Sequence, residues 1–336
     1  MQAILIVTFP FFALVLLGYL AAQRRWMPES AIPGLNAYVL YYALPCMLFR
    51  FGSSMPFARL IDPLLIALYT ACALLMVAIT IAVTLRRRAG GPGVDLKDAA
   101  FGALVAAFPN AGFMGVPLLV ALLGDNAAGP VIGAILVDLI LTSTLCLALA
   151  QASGHRSGGG DDNSERSMLA SAALSLRGAL TNPLPWAITI GAVFAALDRE
   201  LPGPVAQIVR MLGESAAPVA LFTIGAVLSR AGRHGHSRTA PRDYVPVALL
   251  KLVVHPALIY GIGAGAAALG APVSTFGLMV LTLVAALPSA SNVSVLAERY
   301  GADNGRVTRI IMASTVLAFA SFSVLAWLFG VGATPK

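Results

Sequence analysis

The chain has 336 residues, of which 58% are hydrophobic and only 11% charged, and its net charge is +7. This composition excludes a soluble globular protein, because too few polar residues are present to cover so much apolar surface. The chain is predicted to be an all-α polytopic protein whose surroundings are a lipid bilayer.

Apolar windows of about 20 residues, the length that crosses the hydrocarbon layer, predict ten spans. In chain order they cover 3–22, 31–52, 62–85, 97–123, 127–150, 178–198, 203–229, 243–268, 273–297 and 306–331. A polar segment rich in glycine and serine, 152–177, separates five spans from five. It is predicted to be a cytoplasmic linker between a first unit, 1–151, and a second unit, 178–336.

The basic residues are distributed unevenly across the membrane. If successive loops alternate between its two faces, 16 basic residues lie on one face, 4 on the other and 2 within spans, which accounts for all 22. The positive-inside rule then makes the richer face cytoplasmic. Both termini are expected on the periplasmic side of a bacterial inner membrane. The positive net charge is explained by this topology, and no nucleic-acid partner is expected.

Two short sequences recur between the two units. "ALPCMLF" at 43–49 resembles "AAPVALF" at 216–222, and "AAFPNAG" at 106–112 resembles "AALPSAS" at 285–291. The offsets of 173 and 179 residues are nearly constant, and five spans separate each pair, so the copies enter the membrane from opposite sides. The sequence therefore predicts two inverted five-helix repeats, an architecture typical of secondary transporters.

The fourth and ninth spans each contain a proline where an unbroken helix is expected. Pro109 and Pro288 lack an N–H and clash with the preceding turn, which frees the carbonyls of Val105 and Val284. Residues suited to capping a new helix follow the prolines: Asn110 in the fourth span, and Ser289, Ser291 and Asn292 in the ninth. A proline kink is the simpler alternative for each span.

The matched pattern favours two broken helices that cross inside the protein, because lipid cannot satisfy the freed backbone groups. The second half of each broken helix would present its amino end, which attracts anions without a formal charge. The predicted substrate is a small organic anion.

Ionisable residues inside spans are costly to bury and are candidates for a role in coupling or charge balance. Asp138 is expected either to take part in proton coupling or to form a structural hydrogen bond, for instance to Thr142. Lys251 either contributes to charge balance or substrate attraction, or extends its amine to the interface. His255, one turn later, is expected to be a satisfied core histidine, with proton coupling as the alternative.

Polar residues of the second and seventh spans complete the candidates. Glu214 lies four residues after Arg210, so mutual neutralisation is expected, with a position in the substrate cavity as the alternative. Asn36, Tyr38 and Tyr42 either face the crossing of the broken helices or pack as ordinary helix residues.

The sequence contains no recognisable set of catalytic residues. Asp138 is the single aspartate deep in a span, "GESAA" does not complete a serine elbow, and His155, His234 and His236 belong to loops. No metal site, cofactor or enzymatic activity is therefore expected. A membrane receptor that binds a small anion without moving it is the alternative function.

Six stretches together resemble the auxin efflux carrier family, and its bacterial members in particular. They are "NAYVLYYALPCMLF", "FPNAGFMGVPLL", "TNPLPWAITIGAV", "AAPVALFTIGAVL", "KLVVHPALIY" and "ALPSASNVSVLAERYGAD". Carried over by position, the crossover motifs of the family fall on Pro109, Asn110, Gly112, Pro288 and Asn292. The central loop is shorter than in the long plant carriers.

The resemblance implies a scaffold of spans 1, 2, 6 and 7 that forms a homodimer, and a transport domain of spans 3–5 and 8–10. It also implies elevator-type secondary transport of auxin-like carboxylates or small dicarboxylates, without a cofactor.

Overall fold

The computed structural model describes residues 2–54, 62–86, 94–152, 183–234 and 239–331. These residues form twelve helices, with short π or 3-10 turns included in the longer ones. They are α1 Gln2–Gln23, α2 Ala31–Ser54, α3 Pro63–Arg86, α4 Leu96–Ala107, α5 Ala111–Leu123, α6 Asp125–Gln151, α7 Pro183–Ala196, α8 Gly203–His234, α9 Pro241–Ala268, α10 Thr275–Ala285, α11 Asn292–Arg299 and α12 Asn304–Leu328.

Seven of the described helices are long and apolar enough to cross a membrane: α1, α2, α3, α6, α8, α9 and α12. The prediction of an all-helical polytopic membrane protein is therefore confirmed. The predicted sixth span corresponds to α7, whose described part is 14 residues long, and the predicted linker 152–177 lies, except for Ala152, outside the described residues.

The predicted fourth and ninth spans are each two helices with an irregular segment between them. The first break separates α4 from α5, and the second separates α10 from α11. Both first halves begin with a side-chain cap, since Asp95 accepts a hydrogen bond from Asp98 N and Ser274 accepts one from Gly277 N. The expectation that these two spans are interrupted is confirmed.

The helices pack in two groups. The glycine-packed group consists of α1, α2, α7 and α8, in which α1 packs on α8 while α2 packs on α7 and α8. A Cβ atom on Gly18 of α1 or on Gly225 of α8 would collide with a carbonyl of the facing helix, and the same holds for Gly52 of α2 and Gly191 of α7. These two helix pairs therefore approach backbone to backbone.

The crossing group consists of α3 to α6 and α9 to α12. Its centre is formed by α4 and α10, in which residues 99–107 and 277–278 with 280–285 are buried. The first turn of α5 packs against α8, and α12 packs against both α1 and α8. The crossing of the broken helices therefore lies next to the glycine-packed group.

Arg306 at the start of α12 connects three elements of the crossing group. Its Nε donates to the carbonyl of Asp243 at 2.9 Å, and one terminal nitrogen donates to that of Asp98 at 3.0 Å. The side chain passes so close to Gly102 that a Cβ there would lie 3.1 Å from the guanidinium. One end of the group is thus fixed by a buried arginine and two main-chain carbonyls.

Candidate functional site at the crossing of the broken helices

The main chains of the two breaks form hydrogen bonds with each other. Asn110 N donates to the carbonyl of Pro288 at 2.8 Å, and Ala290 N donates to that of Phe108 at 3.0 Å. Pro109 and Ser289 thereby form an isolated antiparallel bridge. Because these residues are buried, the reciprocal bonds supply the hydrogen bonding that non-helical backbone needs at membrane depth.

The predicted side-chain caps after the prolines are absent. Asn110 and Ser291 occupy the N-cap positions of the following helical turns, but neither side chain makes a capping hydrogen bond. Asn110 instead uses its main-chain carbonyl, which accepts from Met114 N and Gly115 N. The capping interpretation was wrong because the main chain of the opposite break anchors Asn110, and its side-chain amide makes no capping hydrogen bond.

Ser289 contributes a second uncommitted polar group. Its main-chain N donates to Ser314 Oγ of α12 at 3.1 Å, while its own Oγ is buried without a hydrogen-bond partner. Buried hydroxyl groups normally have a partner. Together with Asn110, which is 3% exposed, Ser289 gives the crossing polar side chains that the fold itself does not use.

The remaining crossover candidates have different surroundings. Gly112 is half-buried, and a Cβ there would meet no atom within 4 Å, so it borders open space. Asn292 begins α11 and is exposed, whereas Ser291 is buried. Gly115 explains how closely the breaks pack, since a Cβ there would lie 2.8 Å from Leu287 Cδ1.

The carbonyl of Val284, predicted to be free at the end of α10, is occupied, and so is the carbonyl of the next residue. Val284 O accepts from Leu287 N at 3.1 Å, because a three-residue turn tightens the end of the helix. Ala285 O accepts from Lys251 Nζ of α9 at 2.8 Å. The carboxyl end of α10 is therefore held by a lysine.

Lys251 is fully buried, so the interpretation that its amine extends to the interface was wrong. Its Nζ also lies 3.1 Å from Nδ1 of His255, which confirms that the two residues share a helix face. His255 is only partly the satisfied core histidine that was expected, because its Nε2 has no hydrogen-bond partner.

Asp138 on α6 forms the structural hydrogen bond that was one of its two predicted roles. Thr142 Oγ1 donates to Oδ1 at 3.1 Å, and the hydroxyl of Tyr69 on α3 donates to Oδ2 at 2.8 Å. The ring of Tyr69 also lies 6.1 Å from that of His255. We call the set Tyr69, Asp138, Thr142, Lys251 and His255 the buried polar cluster. Its residues belong to α3, α6 and α9, and Lys251 connects it to the end of α10.

Three of these residues lie in π-helical turns: Asp138 and Thr142 in Asp138–Thr142, and Lys251 in Leu250–Val254. An inserted π turn rotates the helix after it and frequently marks a functional site. With an acid and a base buried in one cluster, the cost of burying each charge is reduced by the other.

Glu214 and the aromatic residues of α2 lie in the glycine-packed group. Glu214 is 60% exposed and pairs with Arg210 and with Arg50, each at 3.8 Å, so the predicted mutual neutralisation is present. Tyr38 shares a hydrogen bond of 2.7 Å with Ser215 of α8. Asn36 is half-buried and Tyr42 is 59% exposed, and neither has a hydrogen bond to the crossing among the described residues.

A cleft of about 510 Å³ lies elsewhere, at the beginning of α3, α6 and α10. Its lining residues are Asp62, Leu65, Asn126, Pro130, Ser274, Phe276 and Gly277. These residues lie in or directly before helices of the crossing group, and none of them belongs to the breaks or to the glycine-packed group.

Sequence reasoning missed Tyr69, Ser314 and the carbonyl of Ala285. Tyr69 had a usable signal, because a tyrosine in the middle of an apolar span needs a partner for its hydroxyl. The other two had none, since a serine in a membrane helix commonly bonds its own preceding turn, and a carbonyl carries no sequence signature.

Comparison with known proteins gives consistent matches over nearly the whole chain. The model of a family described as "Membrane transport protein" matches residues 3–327. A "Putative malonate transporter" of Rhizobium meliloti (strain 1021) is 29% identical over 97% of this chain and 96% of its own length. "Uncharacterized transporter YfdV" of Escherichia coli (strain K12) is 24% identical over 95% of each chain. "Auxin efflux carrier component 8" of Arabidopsis thaliana is 22% identical over 75% of this chain and 78% of its own length.

Proposed function

Because the chain belongs to this family of membrane transport proteins, which includes auxin efflux carriers and contains transporters rather than enzymes, we propose that it is a secondary carrier of small organic anions. The proposed substrates are short dicarboxylates, malonate first, with auxin-like monocarboxylates second. The name of the Rhizobium relative and its 29% identity favour malonate.

The observation that carries this proposal is the uncommitted polar character of the crossing. Asn110 is buried but its amide does not cap α5, and Ser289 Oγ has no partner. Both lie where the amino ends of α5 and α11 contribute positive partial charge. A carboxylate could accept hydrogen bonds from the Asn110 amide and the Ser289 hydroxyl in that field.

Two inverted repeats are part of the proposal, and paired positions in the structure support them. The capped starts of α4 and α10, Asp95 and Ser274, are 179 residues apart, as Pro109 and Pro288 are. The close-packed glycines are 173 residues apart, Gly18 with Gly191 and Gly52 with Gly225. In an inverted repeat α1 corresponds to α7 and α8 corresponds to α2, so the α1–α8 contact would be repeated as the α7–α2 contact. The paired glycines lie at these two contacts.

Alternating access is proposed to be an elevator-type movement of the crossing group against the glycine-packed group. The mutual hydrogen bonds of the two breaks favour movement of the crossing as one body. We further propose that the units 1–151 and 178–336 are the two repeats, that the glycine-packed group forms the homodimer, and that the termini are periplasmic at a bacterial inner membrane.

The test is uptake of radiolabelled malonate and indole-3-acetate into proteoliposomes containing the wild type, Asn110→Ala or Asn126→Ala. Asn126 is an exposed asparagine near the start of α6 and serves as the matched control. Saturable uptake that Asn110→Ala abolishes and Asn126→Ala preserves is expected. Equal uptake by all three proteins would refute the crossing as the substrate site.

A receptor without translocation is the second candidate. It predicts saturable binding of malonate to the purified protein together with uptake no faster than in empty liposomes. Measuring binding and uptake on the same preparation separates the two functions.

A further inference from the structure

Lys251 places a charge against the end of a broken helix, inside the protein. Its Nζ donates at 2.8 Å to the carbonyl of Ala285, the last residue of α10, and the whole residue is buried. A lysine this deep is costly unless it has partners and a counter-charge. The partners are Ala285 and His255, and the only acidic residue of the buried polar cluster is Asp138.

The hydrogen bonds of the cluster suit a charged lysine and a charged aspartate. Both oxygens of Asp138 accept hydrogen bonds, from Tyr69 and Thr142, which fits an ionised carboxylate. The carbonyl of Ala285 can only accept, so Lys251 is the donor, and an ammonium group can donate to His255 Nδ1 at the same time. These hydrogen bonds accommodate a protonated Lys251 as a cation and an ionised Asp138 as an anion.

The position of the ammonium group influences whether the crossing favours a negatively or a positively charged ligand. The carboxyl ends of α4 and α10 carry partial negative charge, while the amino ends of α5 and α11 carry partial positive charge. These four ends roughly cancel, and Lys251 contacts one of the negative ends directly. With that end neutralised, the amino ends dominate and favour an anion.

Lys251 has no basic counterpart at the corresponding position of the first unit. The position 179 residues before Lys251 is Cys72 on α3, a neutral buried thiol. A free carbonyl at a helix end, inside a protein and near a carboxylate, is the type of group that coordinates sodium in carriers with broken helices. In this chain a lysine amine already occupies that carbonyl.

We propose that the Lys251 ammonium is a built-in cation of the crossing, which replaces a co-transported sodium ion at the end of α10 and makes anion transport independent of sodium. The transport part of the proposal rests on the proposed function. Lys251 acts as a positioning residue through Ala285 and need not touch the substrate.

The variants are Lys251→Met, which keeps the length of the side chain without its charge, and Lys251→Ala, which leaves a cavity. The matched control is Leu252→Ala, since Leu252 is buried in the same π turn. Malonate uptake is measured in sodium, potassium and choline salts. Apparent melting temperature in detergent is measured with added propylammonium chloride or n-propanol.

Wild-type uptake should be equal in the three salts, and Lys251→Met should lose about tenfold or more of it, the equivalent of one bond to a charged group. Propylammonium should raise the melting temperature of Lys251→Ala, and n-propanol should not. Leu252→Ala should respond equally to the two additives, since its cavity has no need of a charge.

Sodium-dependent wild-type uptake, or Lys251→Met with wild-type uptake and melting temperature, would overturn the proposal. So would a Lys251→Ala protein that propylammonium fails to stabilise more than propanol does. If the wild type takes up neither anion, the substrate assignment fails by itself, and the melting measurements still decide whether a cation belongs at Ala285.

Discussion

The hydroxyl of Tyr69 on α3 donates a hydrogen bond of 2.8 Å to Oδ2 of Asp138 on α6, and both residues are fully buried. This bond connects two helices of the crossing group through a carboxylate that has no contact with solvent.

Removal of the tyrosine hydroxyl by Tyr69→Phe should lower the free energy of unfolding by about 1 to 3 kcal/mol, because one oxygen of a buried carboxylate loses its donor. The measurement is the unfolding midpoint in detergent. In the double variant Tyr69→Phe with Asp138→Leu, the tyrosine change should cost clearly less than it does alone. Additive losses would mean that the two groups do not interact energetically.

Ser289 and Ser314 should separate substrate binding from stability. Ser314→Ala removes the acceptor of the buried Ser289 N–H and should destabilise the protein by about 1 to 3 kcal/mol. Ser289→Ala removes a hydroxyl without a protein partner, so stability should be unchanged while malonate uptake falls. The two measurements are thermal unfolding and initial uptake rate. A Ser289→Ala variant with normal uptake would remove this hydroxyl from the site.

Gly225→Ala should disrupt the contact between α1 and α8, since its Cβ would overlap the carbonyl of Val15. Overpacking of this kind costs about 1 to 3 kcal/mol or more, because backbone must move. Gly261→Ala is the control, as a Cβ there meets no atom within 4 Å. Size-exclusion chromatography of both variants tests the expectation: only Gly225→Ala should lose the monodisperse peak.

Arg306→Gln should loosen one end of the crossing group, because the main-chain carbonyls of Asp243 and Asp98 lose the charged donor that the buried Arg306 supplies. A loss of about 3 kcal/mol is expected from two hydrogen bonds of this type. Arg199→Gln, at an exposed position, controls for loss of charge. Comparable melting temperatures for the two variants would contradict the role assigned to Arg306.

The breaks could be predicted from sequence because proline acts locally. Pro109 and Pro288 each remove an N–H and exclude the preceding turn whatever surrounds them, so the positions of the interruptions followed from the residues alone. The stabilisation of the breaks did not follow. Asn110 was expected to cap with its side chain, but the carbonyl of Pro288 anchors its main chain from 178 residues away in the sequence.

The fate of Lys251 was unpredictable for a similar reason. A lysine in a membrane helix can extend to the interface or find an acceptor inside, and the choice depends on a carbonyl 34 residues later in the chain. Asp138 was easier, because Thr142 is one turn away on the same helix. The contact of Asp138 with Thr142 within one helix could therefore be predicted, whereas the contact of Lys251 with Ala285 between helices could not.

The glycine contacts constrain the order in which the chain matures. Gly18 and Gly52 belong to the first two helices, but their close-packing partners are on α8 and α7. The ribosome must therefore synthesise about two thirds of the chain, up to Gly225, before α1 can reach its final neighbour. Until then the nascent protein has bare glycine surfaces in the bilayer, and an insertion factor or lipid must cover them.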